Sequence, residues 1–397
     1  MRSTIKNFVR HSQRQCSSKC SRFPILASSS SCWRSNGSAH ASFSTSPLVD
    51  LRSDTVTAPS RPMLEAALTA KTGDDVMGED PTVLELESYM AEKCGKEAGL
   101  YVPTGTMANL VAILSHCNKR SSEIIIGRNS HISLWEAGNA ASLGGVHTRQ
   151  IPEREDGGLP HDEIKDAFRL DNDDHCAKTE LICLENTHNM LGGAVLDPAD
   201  IDATGDLARE LGVQLHIDGA RILNAVIASQ TPISELCKKA DSISICLSKG
   251  LGAPLGSVLV GENEFIRLAK RARKRCGGGM RQAGVVASMG LYAIRNNVDR
   301  LADDHVRAKR LAAELQRHGF QLLRNGQIDT NIIFFALPED SKVTRGELVP
   351  RLKEDYGIAI TTGYSKGGEL SRICTHMDVD DEGVDRAAEA IVKLCLG

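Results

Sequence analysis

An aspartate that closes one apolar run and a lysine that follows the next have the clearest chemical use in this chain. Asp218 ends "VQLHID" and Lys249 follows "SISICLS", 31 residues later (249 − 218 = 31). On successive parallel strands that spacing sets a carboxylate and an amine at the same edge of a sheet. A lysine in a partly desolvated cleft gives up its proton more easily and becomes a nucleophile that forms an imine with an aldehyde. A nearby aspartate holds a pyridinium nitrogen protonated. A protonated ring as electron sink and a lysine as imine carrier are the two groups that pyridoxal-phosphate chemistry needs. Taken alone, a strand-terminal Asp is more often a helix cap, and such a lysine more often reaches out to water.

Other residues shift that balance. In "PTGTMANLVAIL" (103–114) Pro and Gly open a helix whose free N–H groups, with the Thr106 hydroxyl, can hold a phosphate. An ordinary N-cap is the plain alternative there. His131 in "NSHISLWEAG" lies beside Trp135, where an imidazole can stack on a pyridine ring. The segment "LENTHNMLGG" (184–193) offers Glu185, Asn186, His188 and Asn189 at the end of another apolar run, although a turn rich in Asn forms in any case. Arg221 in "HIDGAR", Arg281 in "GGGMRQ" and Arg372 in "SRICTH" are planar forks for a carboxylate or phosphate, with surface ion pairs as the alternative.

These residues need a scaffold that gathers strand ends. The runs "EIIIG" (123–127), "ELICLEN" (180–186), "VQLHIDG" (213–219), "SISICLS" (242–248) and "GSVLVG" (256–261) are apolar, β-branched and bounded by Gly, Asp or Asn. Helix-like stretches between several of them predict a largely parallel, doubly wound α/β sheet with its ligand at the strand C-terminal ends. Near residue 300 the pattern changes. A charged helix (298–319) precedes shorter runs at 331–337, 357–362 and 371–377 and a final amphipathic helix (381–395). The expected organisation is a large domain over 50–297 and a small α+β domain over 298–397.

Residues 1–49 contain no Asp or Glu but carry Arg2, Lys6, Arg10, Arg14, Lys19, Arg22 and Arg34 among many serines. That composition predicts a disordered mitochondrial transit peptide, with a cytoplasmic protein bearing a Ser-rich tail as the alternative. The chain as a whole has 47 Lys and Arg against 51 Asp and Glu, a net charge of −4, which gives no footprint for nucleic acid or an anionic membrane. No apolar run has membrane-spanning length. Nine of the twelve cysteines are scattered through the body without a C-x-x-C pair, so reduced thiols are expected and no metal site.

Taken together, "DLRSDTVTAPS", "GDDVMGEDPTVLELE", "PTGTMANLVAILSHC", "LENTHNMLGGAVL", "HIDGARILNAV", "CLSKGLGAPLGSVLVG" and "GGGMRQAG" resemble the low-specificity L-threonine aldolases. The resemblance runs from about Asp50 to the C-terminus. It implies the fold type I (aspartate aminotransferase-like) architecture, with a mostly parallel seven-stranded sheet and pyridoxal 5'-phosphate as cofactor. It further implies that Lys249 carries the imine, Asp218 pairs with the ring nitrogen, His131 stacks on the ring, and Gly105 and Thr106 hold the phosphate. Ser53, Arg221 and Arg372 would grip the carboxylate of a small amino-acid substrate, and His188 would sit near its β-hydroxyl. Arg221 and Arg281 would also face the cofactor, Arg281 that of a neighbouring subunit in a homodimer or homotetramer with shared active sites. The implied reaction is retro-aldol cleavage of L-threonine or L-allo-threonine to glycine and acetaldehyde. Alanine racemisation on the same scaffold is the nearest rival. A cofactor-binding scaffold without turnover is the rival from another class, and the intact Lys249 and Asp218 argue against it.

Overall fold

The computed structural model of the protein describes residues 48–170, 172–362 and 370–397. The mitochondrial leader expected over 1–49 falls almost wholly outside them. The strands, in chain order, are β1 (Val49–Asp50), β2 (Ala98–Val102), β3 (Ser122–Gly127), β4 (His147–Ile151), β5 (Lys178–Glu185), β6 (Gln214–Gly219), β7 (Ser242–Cys246), β8 (Ser257–Gly261), β9 (Gln321–Leu322), β10 (Ile332–Ala336), β11 (Ile358–Ala359), β12 (Thr361–Thr362) and β13 (Ser371–Cys374). A seven-stranded sheet has the order β2-β8-β7-β6-β5-β3-β4. Strands β3 to β7 pair in parallel, and β8 is antiparallel to both β7 and β2. The α/β sheet expected from the apolar runs is therefore present.

Helices cover both faces of this sheet, as a mostly parallel sheet requires. The strand period of two sends alternate residues into different clusters. Tyr101, Ile125, Ile182 and Val258 join the main core, whereas Leu100, Ile124, Cys183 and Leu259 pack on the opposite face. Helices Gly105–His116 and Asn263–Arg275 supply that second face with Val111, Ala112, Ile266 and Ala269.

A second, four-stranded sheet of order β12-β13-β10-β9 lies under the helices Leu301–Arg317, Arg345–Tyr356 and Asp381–Leu396, around Leu311, Phe335, Leu352, Ile373 and Ile391. The first described residues join this core. Val49 and Leu51 pack in it, and β1 pairs in parallel with β11. The stretch that carries Ser53 and Asp54 is thereby led from the second core to the edge of the large sheet.

Candidate active site

The apolar alternation of β6 and β7 has a polar half. Leu215, Ile217, Ile243 and Ile245 enter the main core. The other phase consists of His216, Asp218, Ser242, Ser244 and Cys246, all buried. Register pairs His216 with Ser242 and Asp218 with Ser244, so a strip of polar side chains crosses two neighbouring strands. Buried polar groups of this kind need partners.

The helix Gly105–His116 supplies them. Thr104 caps it by accepting the Met107 N–H at 3.1 Å. Gly105 rests on the end of β7, where a Cβ would come within 2.6 Å of Cys246 Sγ. A residue with a side chain would lift the helix N-terminus, with its free N–H groups, off the strand ends. Thr106 is half-buried beside it. One turn further on, Asn109 Nδ2 donates to Asp218 Oδ2 and to Glu136 Oε1, each at 2.8 Å. Asp218 Oδ1 accepts the Ala220 N–H at 3.1 Å. Asp218 is only 2% exposed, yet among the described residues no lysine or arginine bonds to it.

His131 begins a short helix after β3. Its backbone N–H donates to Glu185 Oε2 at 2.6 Å, and its Nδ1 lies 3.0 Å from Glu136 Oε1. Ligand atoms of His131, Glu136 and Asp218 fall within 4.8 Å of one another. Burial opposes a charge on His131, but the Glu136 hydrogen bond and the charges of Asp218 and Glu136 outweigh it and raise the imidazole above its ordinary range. Burial, reinforced by Asp218, raises the Glu136 carboxyl. Trp135 is 47% exposed at the end of the same short helix.

Lys249 follows β7 by three residues and is half-buried. Its carbonyl accepts the Thr57 hydroxyl at 2.9 Å and the Gly252 N–H at 2.8 Å, which fixes the turn that carries it. Its charge acts on His131 and also on Asp54. Asp54 is the centre of a second buried cluster. Arg221 Nε and Nη2 each donate to it at 2.7 Å, one to each oxygen, while Nη1 reaches Asn189 Oδ1 at 3.3 Å. Burial would raise the Asp54 carboxyl, but Arg221, with help from Lys249 and Arg372, holds it well below the usual range. Ser53, the preceding residue, accepts the Thr55 N–H at 3.3 Å. Arg372 lies in β13 opposite Phe334 and Thr361, 2% exposed. The residues expected to grip a carboxylate thus converge around Asp54, and Arg221 gives its Nε–Nη2 edge to that acid.

His188 is buried at the end of β5, with Nε2 3.4 Å from Glu153 Oε1. Glu153 also accepts from the Asn129 backbone at 2.6 Å and from Asn129 Nδ2 at 3.0 Å. Two glycines make room for this pair. A Cβ on Gly157 would approach His188 Cβ to 2.8 Å, and one on Gly127 would approach Glu153 Oε1 to 2.3 Å. Burial opposes charge on His188, yet Glu185 and Glu153 raise it. Arg281 stands apart from these groups. It is 62% exposed, and its Nη1 donates to Asp74 at 2.7 Å.

Asn109, Glu136, Glu153, His216 and Asp54 were not singled out by the sequence. The alternation in "HID" and "SISIC" is the signal that points to Asn109 and His216, because two polar residues in phase on neighbouring strands demand a polar group from the covering helix.

A family model described as beta-eliminating lyase matches residues 50–338. The chain belongs to that family. The low specificity L-threonine aldolase of Escherichia coli (strain K12) is 45% identical over 342 residues, covering 86% of this chain and 97% of the relative. Low-specificity L-threonine aldolase 1 of Arabidopsis thaliana is 45% identical over 318 residues, covering 80% and 88%. Among solved structures, Leishmania major threonine aldolase superposes with a TM-score of 0.74 over 87% of this chain and 99% of its own, at 20% identity. Rhodiola rosea 4-hydroxyphenylacetaldehyde synthase, at 17% identity, gives 0.68 over 87% and 82%. Likeness at that level speaks for the fold, which the family shares with enzymes of other activities.

Proposed function

We propose that this chain cleaves L-threonine, L-allo-threonine and related β-hydroxy-α-amino acids to glycine and an aldehyde, with pyridoxal 5'-phosphate as cofactor. The observation that carries the reading is Asp218, a buried carboxylate with neutral donors on one side, His131 beside it, and Lys249 beyond the end of the adjacent strand. An acid whose direct hydrogen bonds come from neutral donors fits a ligand that brings its own positive charge, as a protonated pyridine does. The glycine that lets the helix N-terminus settle on Cys246 fits a phosphate. The residues present therefore suit the cofactor, which when bound supplies the electron sink for a carbanion at Cα.

Each residue then has a task. Lys249 would offer the amine that holds the cofactor through its aldehyde. Asp218 keeps the ring nitrogen protonated, and His131 covers the ring. Gly105 and Thr106 hold the phosphate. Arg372, Ser53 and the outer edge of Arg221 orient the substrate carboxylate, so that the Cα–Cβ bond is the one aligned for cleavage. His188, backed by Glu153, takes or positions the β-hydroxyl proton. Arg281 completes the site of a neighbouring subunit in a homodimer or homotetramer. Exposed Val76, Met77 and Leu84 support an interface in that region, where Asp75 N–H donates to the Arg281 carbonyl. Residues 1–49 direct the chain to mitochondria, a reading supported by their composition and tested by fusing them to a reporter.

The test of the activity is acetaldehyde and glycine release from L-threonine and L-allo-threonine by the purified chain with added pyridoxal phosphate, with L-alanine racemisation followed in parallel. Acetaldehyde from either isomer is the expected result. Turnover of alanine alone would overturn the reaction and leave Lys249 as the imine carrier.

A further inference from the structure

A chain of polar groups runs from half-buried His116 through Ser242, His216 and Asn109 to Glu136 and Asp218, and of these the chemistry proposed above uses only Asp218. Donor and acceptor roles follow by elimination. Asn109 Nδ2 lies 2.8 Å from an oxygen of each carboxylate, so both contacts are made by its amide N–H groups. Its Oδ1 only accepts, so the Ser244 hydroxyl at 2.8 Å and His216 Nε2–H at 3.1 Å both donate to it. Burial pushes His216 down to about 4, so it is neutral near pH 7 and its Nδ1 accepts the Ser242 hydroxyl at 2.8 Å. The Ser242 oxygen in turn accepts His116 Nε2–H at 2.8 Å. Every proton between His116 and Asn109 points towards Asn109, whose amide cannot turn over without losing four hydrogen bonds.

At the far end this rigidity meets Glu136, which is 2% exposed. Its Oε1 receives Asn109, and Asn139 Nδ2 approaches its Oε2 at 3.3 Å. With one oxygen fixed from the helix and the other from its own loop, Oε1 presents one acceptor direction to His131 Nδ1–H at 3.0 Å. We propose that Glu136 is a positioning residue: held by Asn109 and Asn139, it grips His131 at Nδ1 and fixes the plane of the imidazole that covers the ligand ring above Asp218. This rests on the reading that a pyridinium occupies the space between His131 and Asp218. A purely structural Glu136 would anchor the loop and leave the ring environment unchanged.

The experiment loads wild type, Glu136→Gln and Glu136→Leu with pyridoxal phosphate. Visible circular dichroism of the bound cofactor and its dissociation constant are then recorded, together with the thermal midpoint. Glu136→Gln keeps an oxygen acceptor, so the band should keep its sign and most of its intensity. Glu136→Leu releases His131, so the band should collapse or invert and cofactor affinity should fall about tenfold, the worth of one hydrogen bond to a charged group. A Glu136→Leu band equal to wild type overturns the proposal, as does a Glu136→Gln band lost to the same extent. Should the leucine variant fail to fold, Glu136→Asp keeps the charge and withdraws the oxygens by one methylene. It must weaken the band, and an unchanged band there overturns the proposal too. If wild type binds no cofactor at all, the cofactor reading itself falls, which is a separate and recognisable result.

Discussion

Two carboxylates are buried at this sheet edge, and the protein treats them in opposite ways. Asp54 is 0% exposed and is neutralised inside the fold by the bidentate Arg221. Asp218 is 2% exposed and takes its hydrogen bonds only from dipoles, the Asn109 amide and the Ala220 N–H. A buried ion pair is costly to break, because removing one partner strands the other charge in a low dielectric. A buried acid without a cation is a standing cost to stability that a cationic ligand can relieve. Asp54 therefore belongs to the architecture that holds Arg221 in place, and Asp218 to the chemistry.

Neutralising each acid separates the two roles. Asp54→Asn leaves Arg221 buried and unpaired, and should cost about 3–5 kcal/mol of stability by chemical denaturation. Asp218→Asn removes a carboxylate whose hydrogen bonds come only from neutral donors, and should leave the cofactor-free protein unchanged or more stable by on the order of 1 kcal/mol. Its effect should fall on turnover of threonine, lowered about a thousandfold once the ring nitrogen loses its anionic partner. Equal destabilisation by both substitutions would remove the distinction. The pH dependence carries the same sign. Asp54 has a folded-state pKa below its unfolded value. Its contribution is therefore complete above the ordinary carboxyl range, near pH 4, and is lost as pH falls towards the depressed value. The stability gap between wild type and Asp54→Asn should accordingly narrow in acid, and a gap that stays constant down to pH 2 would contradict the assignment.

Only one of these acids was visible in the sequence. Asp218 closes an apolar run in "VQLHID", where a charge at a strand end has a local signature. Asp54 sits in "LRSDT", 167 residues from the arginine it pairs with, and no local pattern encodes that encounter. The same limit applies to the strands. The runs at 123–127, 213–219 and 256–261 became β3, β6 and β8 because both sheet faces are covered, so each strand reads as continuous apolar sequence. β4, "HTRQI", pairs only with β3 at the sheet edge and is mostly polar, so its sequence resembles a loop. β2, "AGLYV", opens with two small residues. In the site, Lys249, Asp218 and His131 were legible because their chemistry is unusual at strand ends, whereas Asn109 and Glu136 matter only through partners that folding brings to them.

The neutral cage around Asp218 is redundant in a way the Asp54 ion pair is not, and its outermost link measures that redundancy. Ser244→Ala removes one of two donors to Asn109 Oδ1, while His216 Nε2–H remains at 3.1 Å and still prevents the amide from turning over. The alanine is smaller by one oxygen and leaves no unpaired donor behind. The expected loss is about 1 kcal/mol of stability and no more than about fivefold in turnover, the scale of a single neutral hydrogen bond. A loss approaching that of Asp218→Asn would mean that the amide depends on both donors, and that the acid is held by one cooperative network instead of by separable contacts. Measured beside Asn331→Ala, which removes a long 3.4 Å contact to an Asp54 already paired with Arg221, together with a 3.0 Å bond to the Thr375 carbonyl and contacts to Cys374 and Asn224, Ser244→Ala should have the larger effect on turnover. The helper of the architectural acid is backed by a guanidinium, and the helper of the chemical acid is not.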